Sequence, residues 1–186
     1  MSALSGKSVL ILATHGFEQS ELEVPLAKLK EAGATVHVAS PEAGEIKGWD
    51  QKDWGRAVKV DKSLDQVDAS AYDAIVLPGG QMNPDTLRAN PQALSLIKSF
   101  FEQGKVVAAV CHAPWLLIDT GIAKGRKLTS YGTMKQDMIN AGALWEDSEV
   151  VTDKGVVTSS KPEDLPAFVA KIIEEINEGT HQRRAA

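Results

Sequence analysis

Short runs of apolar residues alternate with segments of helical spacing along this chain, and that alternation limits its fold more than any other feature. Val9-Leu10-Ile11-Leu12-Ala13, Val36 to Ser40, Ala74 to Leu77 and Val106 to Val110 are near-continuous apolar runs. That pattern belongs to parallel strands covered on both faces. Between them Leu22, Leu26 and Leu29 recur at helical spacing up to Gly33, with Pro25 expected to start or kink the regular part. Leu94, Ile97 and Phe101 line a helix ending at Gly104, and Pro114 to Thr120 and Met134 to Asn140 read as two more. Leu165, Phe168, Val169, Ile172, Ile173 and Ile176 give the clearest helix, with Ser160 and Glu163 as a capping box at its start. The stretch from Pro41 to Lys62 reads as a loop or small β-excursion, with Val58-Lys59-Val60 as a short edge strand. Leu128-Thr129-Ser130 reads as a short strand, and Glu149 to Thr152 with Val156 to Ser159 as a hairpin around Asp153-Lys154-Gly155. The expected architecture is α/β, a mostly parallel sheet with helices on both faces. It forms one domain over residues 1–186, with about 179–186 as a flexible tail.

Composition closes off several classes of function. Of 186 residues, 43% are apolar and 24% charged, which suits one globular domain. A formal net charge of −5 offers no field to gather nucleic acid or anionic lipid, and Arg183-Arg184 reads as a solvated end. No apolar run reaches the roughly 20 residues that span a bilayer. Met1 to Lys7 lacks the regions of a signal peptide, so the expectation is a cytoplasmic protein without a membrane partner. One cysteine forms no internal disulfide, and no Cys/His cluster has zinc spacing, so neither a metal nor a cofactor is expected.

In open α/β sheets, function collects at the carboxyl ends of the strands. Glu18 follows the first strand, Pro78-Gly79-Gly80 follows Leu77, and Cys111-His112 follows Val110. A lone cysteine is by itself a small buried hydrophobe. One set where a buried strand turns sharply into a helix is a nucleophile elbow, close to helix N–H groups. His112 is then a general base and acid, provided its ring faces the sulfur. Glu18 is the candidate acid beside the thiol, sharing one proton with it, although Glu21 and Glu23 fit the same description. Gly79 and Gly80 can present N–H groups to an oxyanion. His15 is expected to line the pocket and Trp115 to wall it, while Trp49 and Trp54 read as packing or interface residues. His37 and His181 read as structural.

At these residues the chain resembles the PfpI/ThiJ superfamily, in the branch of intracellular proteases and protein deglycases. The resemblance runs through VLILATHGFE from Val9, DAIVLPGG from Asp73 and GKVVAAVCHAP from Gly104. It continues through GRKLTSY from Gly125, DMINAGALWED from Asp137 and VVTSSKPEDLPAF from Val156, nearly the whole chain. It implies a flavodoxin-like fold, Cys111 as nucleophile and Glu18 as its acidic partner. It also implies a homodimer or higher homo-oligomer, in which an acid of a neighbouring subunit, here Asp85, orients His112. His15 and Gly16 stand where the family has a more acidic stretch. The related class I glutamine amidotransferases use a later His-x-Glu pair, and none is present here.

The expected activity is that of a stress-response cysteine hydrolase. Its substrates are small reactive carbonyls, glycated proteins or peptides, with glyoxalase or deglycase chemistry ranked ahead of peptide cleavage. The alternatives are a redox sensor built on an oxidisable Cys111 and a chaperone-like stress protein.

Overall fold

A computed structural model describes residues 1–182 of the chain. The elements run in the order β1 (Ser8–Leu12), α1 (Gln19–Glu31), β2 (Thr35–Ser40), β3 (Glu45–Asp50), β4 (Asp53–Lys59) and β5 (Lys62–Ser63). Next come β6 (Ala74–Leu77), α2 (Met82–Arg88), α3 (Pro91–Glu102), β7 (Val106–Val110), α4 (Trp115–Asp119) and β8 (Lys127–Leu128). The last are α5 (Lys135–Asn140), β9 (Leu144–Trp145), β10 (Val150–Asp153), β11 (Val156–Ser159) and α6 (Leu165–Glu178).

The main sheet has the strand order β10-β11-β7-β6-β1-β2-β5. All its pairings are parallel except that of β10 with β11. This is the expected flavodoxin-like sandwich. The residues of β6 and β7 are buried throughout, because helices cover both faces. Val9, Ile11, Val76, Ala108 and Val157 face one core with Leu22, Leu29 and α6, whose Phe168 and Ile172 are fully buried. Leu10, Leu12, Ile75, Leu77 and Ala109 face the other, with Ile97, Phe100, Leu116 and Met138. Each of the larger side chains among them (Val, Leu, Ile, Phe, Met) contributes roughly 1.5–3 kcal/mol of gross stabilisation.

The chain runs from β1 outward to β2 on one side and later to β6 and β7 on the other. The gap between β1 and β6 is therefore the topological switch point, where open α/β sheets place their ligands. Pro25 does not break α1: the helix runs through it from Gln19 to Glu31. Having no N–H, Pro25 leaves the Glu21 carbonyl without its helical partner.

The predicted elements shift at several places. Residues 45–59 form a separate antiparallel hairpin, β3-β4, so Val58-Lys59 pairs with Ile46 and Glu45 rather than edging the main sheet. The edge strand there is β5, paired with β2. The helix α2 and the strand β9 were not anticipated: both are short, and α2 carries Pro84 inside it. Ser160 does not form a capping box with Glu163. Its hydroxyl donates to the Asp164 carboxylate, and a 3-10 turn over Pro162–Asp164 leads into α6. The segment after α6 is held as far as His181, whose N–H donates to the Gly104 carbonyl at 2.7 Å and whose ring meets Glu175. Arg183 and Arg184 lie outside the described residues.

Candidate active site

Strand β7 ends at Val110, and Cys111 turns the chain with φ +63°. A left-handed conformation at a residue with a Cβ costs about 1–2 kcal/mol, so its neighbours must hold it. They do: the Cys111 N–H donates to the Ser159 carbonyl at 3.0 Å, and its carbonyl accepts from the Tyr131 N–H at 2.8 Å. The predicted elbow is present, and it sets the sulfur 3.1 Å from His112 Nδ1. The imidazole stacks on Tyr131 (centroids 4.8 Å, 27° between planes) and meets Trp115 at 5.1 Å. Burial lowers the pKa of His112 below its ordinary value, favouring the neutral ring.

The acid beside the thiol is Glu21, not Glu18. Helix α1 begins at Gln19, so Glu18 is only its N-terminal flank, while Glu21 shares the inward stripe with Pro25 and Leu29. Glu21 is 0% exposed. Its Oε2 accepts from the Gly79 N–H at 2.7 Å, and its carboxyl is hydrogen-bonded to Cys111. The other oxygen, Oε1, is buried without a nitrogen or oxygen partner. Burial raises the Glu21 carboxyl to about 8, with the charges of Glu18 and Glu163 acting in the same direction. Burial, then the Glu21 charge, pushes the Cys111 thiol up, while the backbone N–H groups of Gly80 and His112 pull it down.

A carboxyl and a thiol in contact titrate as a pair. The first proton leaves near the Glu21 value, and the one that remains is shared. Removing the second would set two negative charges side by side.

The glycines do different work from that expected. The Gly79 N–H is spent on Glu21, so it is not an oxyanion donor. A Cβ at Gly79 would lie 2.6 Å from Glu21 Oε2, 2.6 Å from the Val110 carbonyl and 2.8 Å from Cys111 Cβ, so glycine is what lets these strands close on the sulfur. Gly80, at φ +77°, points its N–H at Cys111. Asn83, 0% exposed, ties the loops together. Its Oδ1 accepts from the Thr14 N–H at 2.8 Å, and its Nδ2 donates to the carbonyls of Pro78 (2.8 Å) and Gly79 (3.2 Å).

A pocket of about 570 Å³ opens above the sulfur, with Glu18, Trp49, Met82, His112, Tyr131 and Pro162 among its walls. His15 is not among them. It sits outside, where Nδ1 accepts from the Lys47 N–H and Nε2 lies 3.4 Å from Glu42. Trp115 backs His112 from behind rather than walling the pocket, with Arg88 over its ring. Asp85 is exposed on α2 and is not brought to His112 within one chain. Trp49, read from sequence as a packing or interface residue, enters through a bridge between Glu18 and the β3-β4 hairpin. Tyr131 and Asn83 were also missed. A polar residue fully buried just after a Gly-Gly turn leaves no periodic signal.

Among the described residues, no helix is long and apolar enough to cross a membrane. Glu175, Glu178 and His181 form a group of possible metal ligands far along the chain from Cys111, and it contributes nothing to this pocket.

The sequence model of the DJ-1/PfpI family matches residues 7–175. A deglycase of Thermococcus kodakarensis is 46% identical over 165 residues, which cover 89% of this chain and 96% of the relative. The protein/nucleic acid deglycase 2 of Escherichia coli is 42% identical, with 87% and 93% covered. Among solved structures, a two-domain protein of Anabaena variabilis with DJ-1/ThiJ/PfpI-like and ferritin-like domains superposes with a TM-score of 0.86 at 36% identity. The match covers 91% of this chain and 48% of that protein, about half its length.

Proposed function

The chain belongs to the DJ-1/PfpI family, and on that footing we propose that it is a cysteine-dependent deglycase, removing α-oxoaldehyde adducts from glycated proteins or small molecules. One cluster carries the reading: Cys111 on a left-handed elbow, with His112 Nδ1 at 3.1 Å and a protonated Glu21 carboxyl against the same sulfur. The thiolate form of the pair, with the proton on Glu21, adds to a carbonyl carbon. A C–S bond forms, the C=O π pair moves onto oxygen, and that oxygen collects the Glu21 proton. Neutral His112 accepts and returns the proton that must pass between the two carbons of the α-oxo unit. The bond from that unit to the amine or thiol breaks, and water then cleaves the Cys111–carbon bond and frees the thiol. The net change, adduct plus water to free amine or thiol plus a 2-hydroxy acid, balances internally. One carbon is oxidised to the carboxylate level while its neighbour is reduced to the alcohol.

Peptide cleavage fits less well, because a thiolate adds to an aldehyde or ketone far more readily than to a resonance-stabilised amide. The sensor and chaperone-like readings are not favoured, since the relatives carry deglycase names and Cys111 is only 6% exposed. His112 Nε2 has no hydrogen-bond partner among the described residues, which supports a homo-oligomer in which Asp85 of the partner subunit completes the site. The test is lactate release from the methylglyoxal adduct of Nα-acetylarginine. Turnover is expected in the wild type and lost in Cys111→Ser. Turnover that survives Cys111→Ser, or none in the wild type, would overturn the assignment.

A further inference from the structure

The pocket above Cys111 shares Glu18, Gln51 and Pro162 with a second chamber of about 570 Å³, whose remaining walls include Glu23, Asp50, Arg56 and Glu163. Carboxylates dominate this joint mouth. The Glu18 carboxyl accepts from the Gln51 N–H, at the tip of the β3-β4 hairpin, and feels the charge of Asp50. Arg56 is the one arginine or lysine lining either chamber, and its guanidinium is already forked onto Glu23 at 3.0 and 2.6 Å. Among the described residues, no salt bridge reaches Glu18, Asp50 or Glu163. The floor of the first chamber adds the Glu21 carboxyl, fully buried against Cys111, whose Oε1 has no nitrogen or oxygen partner among the described residues.

Resting on the deglycase reading, we infer that this acidic mouth makes the enzyme selective for substrates that carry a positive charge near the reacting carbonyl, and that Asp50 and Glu163 are specificity determinants. Glycated cationic side chains are favoured, and adducts of nucleotides are disfavoured. Asp50 and Glu163 are exposed at the rim and do not touch the reacting atoms, so they act through their field. At a separation of about 8 Å in a water-rich mouth, each carboxylate favours a monocation over a neutral analogue by about threefold at low salt. An anion is disfavoured by a similar factor.

Two charge-matched series test this on the intact chain. The first is the rate of Cys111 modification by three methanethiosulfonates, bearing trimethylammonium, methyl and sulfonate groups, each normalised to its rate with free mercaptoethanol. The second is kcat/KM for lactate release from methylglyoxal hemithioacetals of thiocholine, mercaptoethanol and 3-mercaptopropionate. The wild type should prefer cation to anion by at least about tenfold in both series. The preference should shrink in 0.5 M salt, and Asp50→Asn/Glu163→Gln should cut the cation-to-neutral ratio about five- to tenfold. Equal normalised rates for the three reagents, or a ratio the double variant leaves unchanged, overturns the inference. Charge selectivity in modification with no Cys111-dependent turnover would uphold the acidic mouth and remove the deglycase reading.

Discussion

Replacing Glu21 by glutamine keeps an acceptor for the Gly79 N–H but deletes a titration on which the stability of the fold depends. Unfolded, this carboxyl ionises near its ordinary 4.5, whereas burial raises it to about 8 in the folded chain. Between those values the native protein holds a proton that the unfolded chain has lost. Stability from this group is therefore complete below pH 4.5 and falls as the pH rises through 8. The gap corresponds to on the order of 5 kcal/mol, and Glu21 is fully buried, so solvent screening takes little from it. That is a large share of the 5–15 kcal/mol typical of a domain. Urea unfolding of wild type and Glu21→Gln, at steps from pH 5 to 9, isolates the effect of the coupled Glu21–Cys111 pair, because groups remote from it titrate alike in both. The wild type should lose several kcal/mol relative to the variant across this range. Two curves that stay parallel would refute the reasoning.

Two further substitutions probe the frame around the pair. Asn83→Ala removes three hydrogen bonds from a residue with no exposed surface and strands the Thr14 N–H. It should cost about 2–4 kcal/mol in urea unfolding and lower the rate of Cys111 alkylation. Gly79→Ala places a methyl within 2.6 Å of Glu21 Oε2 and of the Val110 carbonyl. A loss of about 1–3 kcal/mol and of nearly all Cys111-dependent turnover should follow.

The elbow was legible because its parts are adjacent in sequence: a run of five apolar residues, then Cys-His. The buried strands and their mostly parallel sheet were legible in the same runs, since such strands announce themselves by continuous hydrophobicity, whereas their order was not. The acidic partner was harder. Three glutamates lie within six residues, and only the phase of α1 distinguishes them. Glu21, Pro25 and Leu29 recur every four residues on the buried face, whereas Glu18 precedes the first turn. That spacing was present in the sequence, but a buried carboxylate contradicts the usual polarity of such a stripe. Trp49 and His15 were not separable in advance. Which of them reaches the pocket depends on how the β3-β4 hairpin folds back on Glu18, a long-range contact with no local signature. The expected oxyanion role of Gly79 failed for a related reason, since its N–H had a competing acceptor in the buried Glu21.

The central claim is that Glu21 and Cys111 share a proton, with Glu21 donating to the thiolate. The most direct measurement is the rate of Cys111 alkylation by iodoacetamide between pH 5 and 10 in wild type, Glu21→Leu and Glu18→Leu. At pH 7 the Glu21 carboxyl still holds its proton, so removing this donor from a buried sulfur should slow alkylation by at least about tenfold. Above pH 8, where the ionised carboxyl raises the thiol, the difference should shrink, and Glu18→Leu should change the profile far less. Faster alkylation in Glu21→Leu would show that the carboxyl only repels the thiolate. An effect confined to Glu18→Leu would contradict the assignment of the partner.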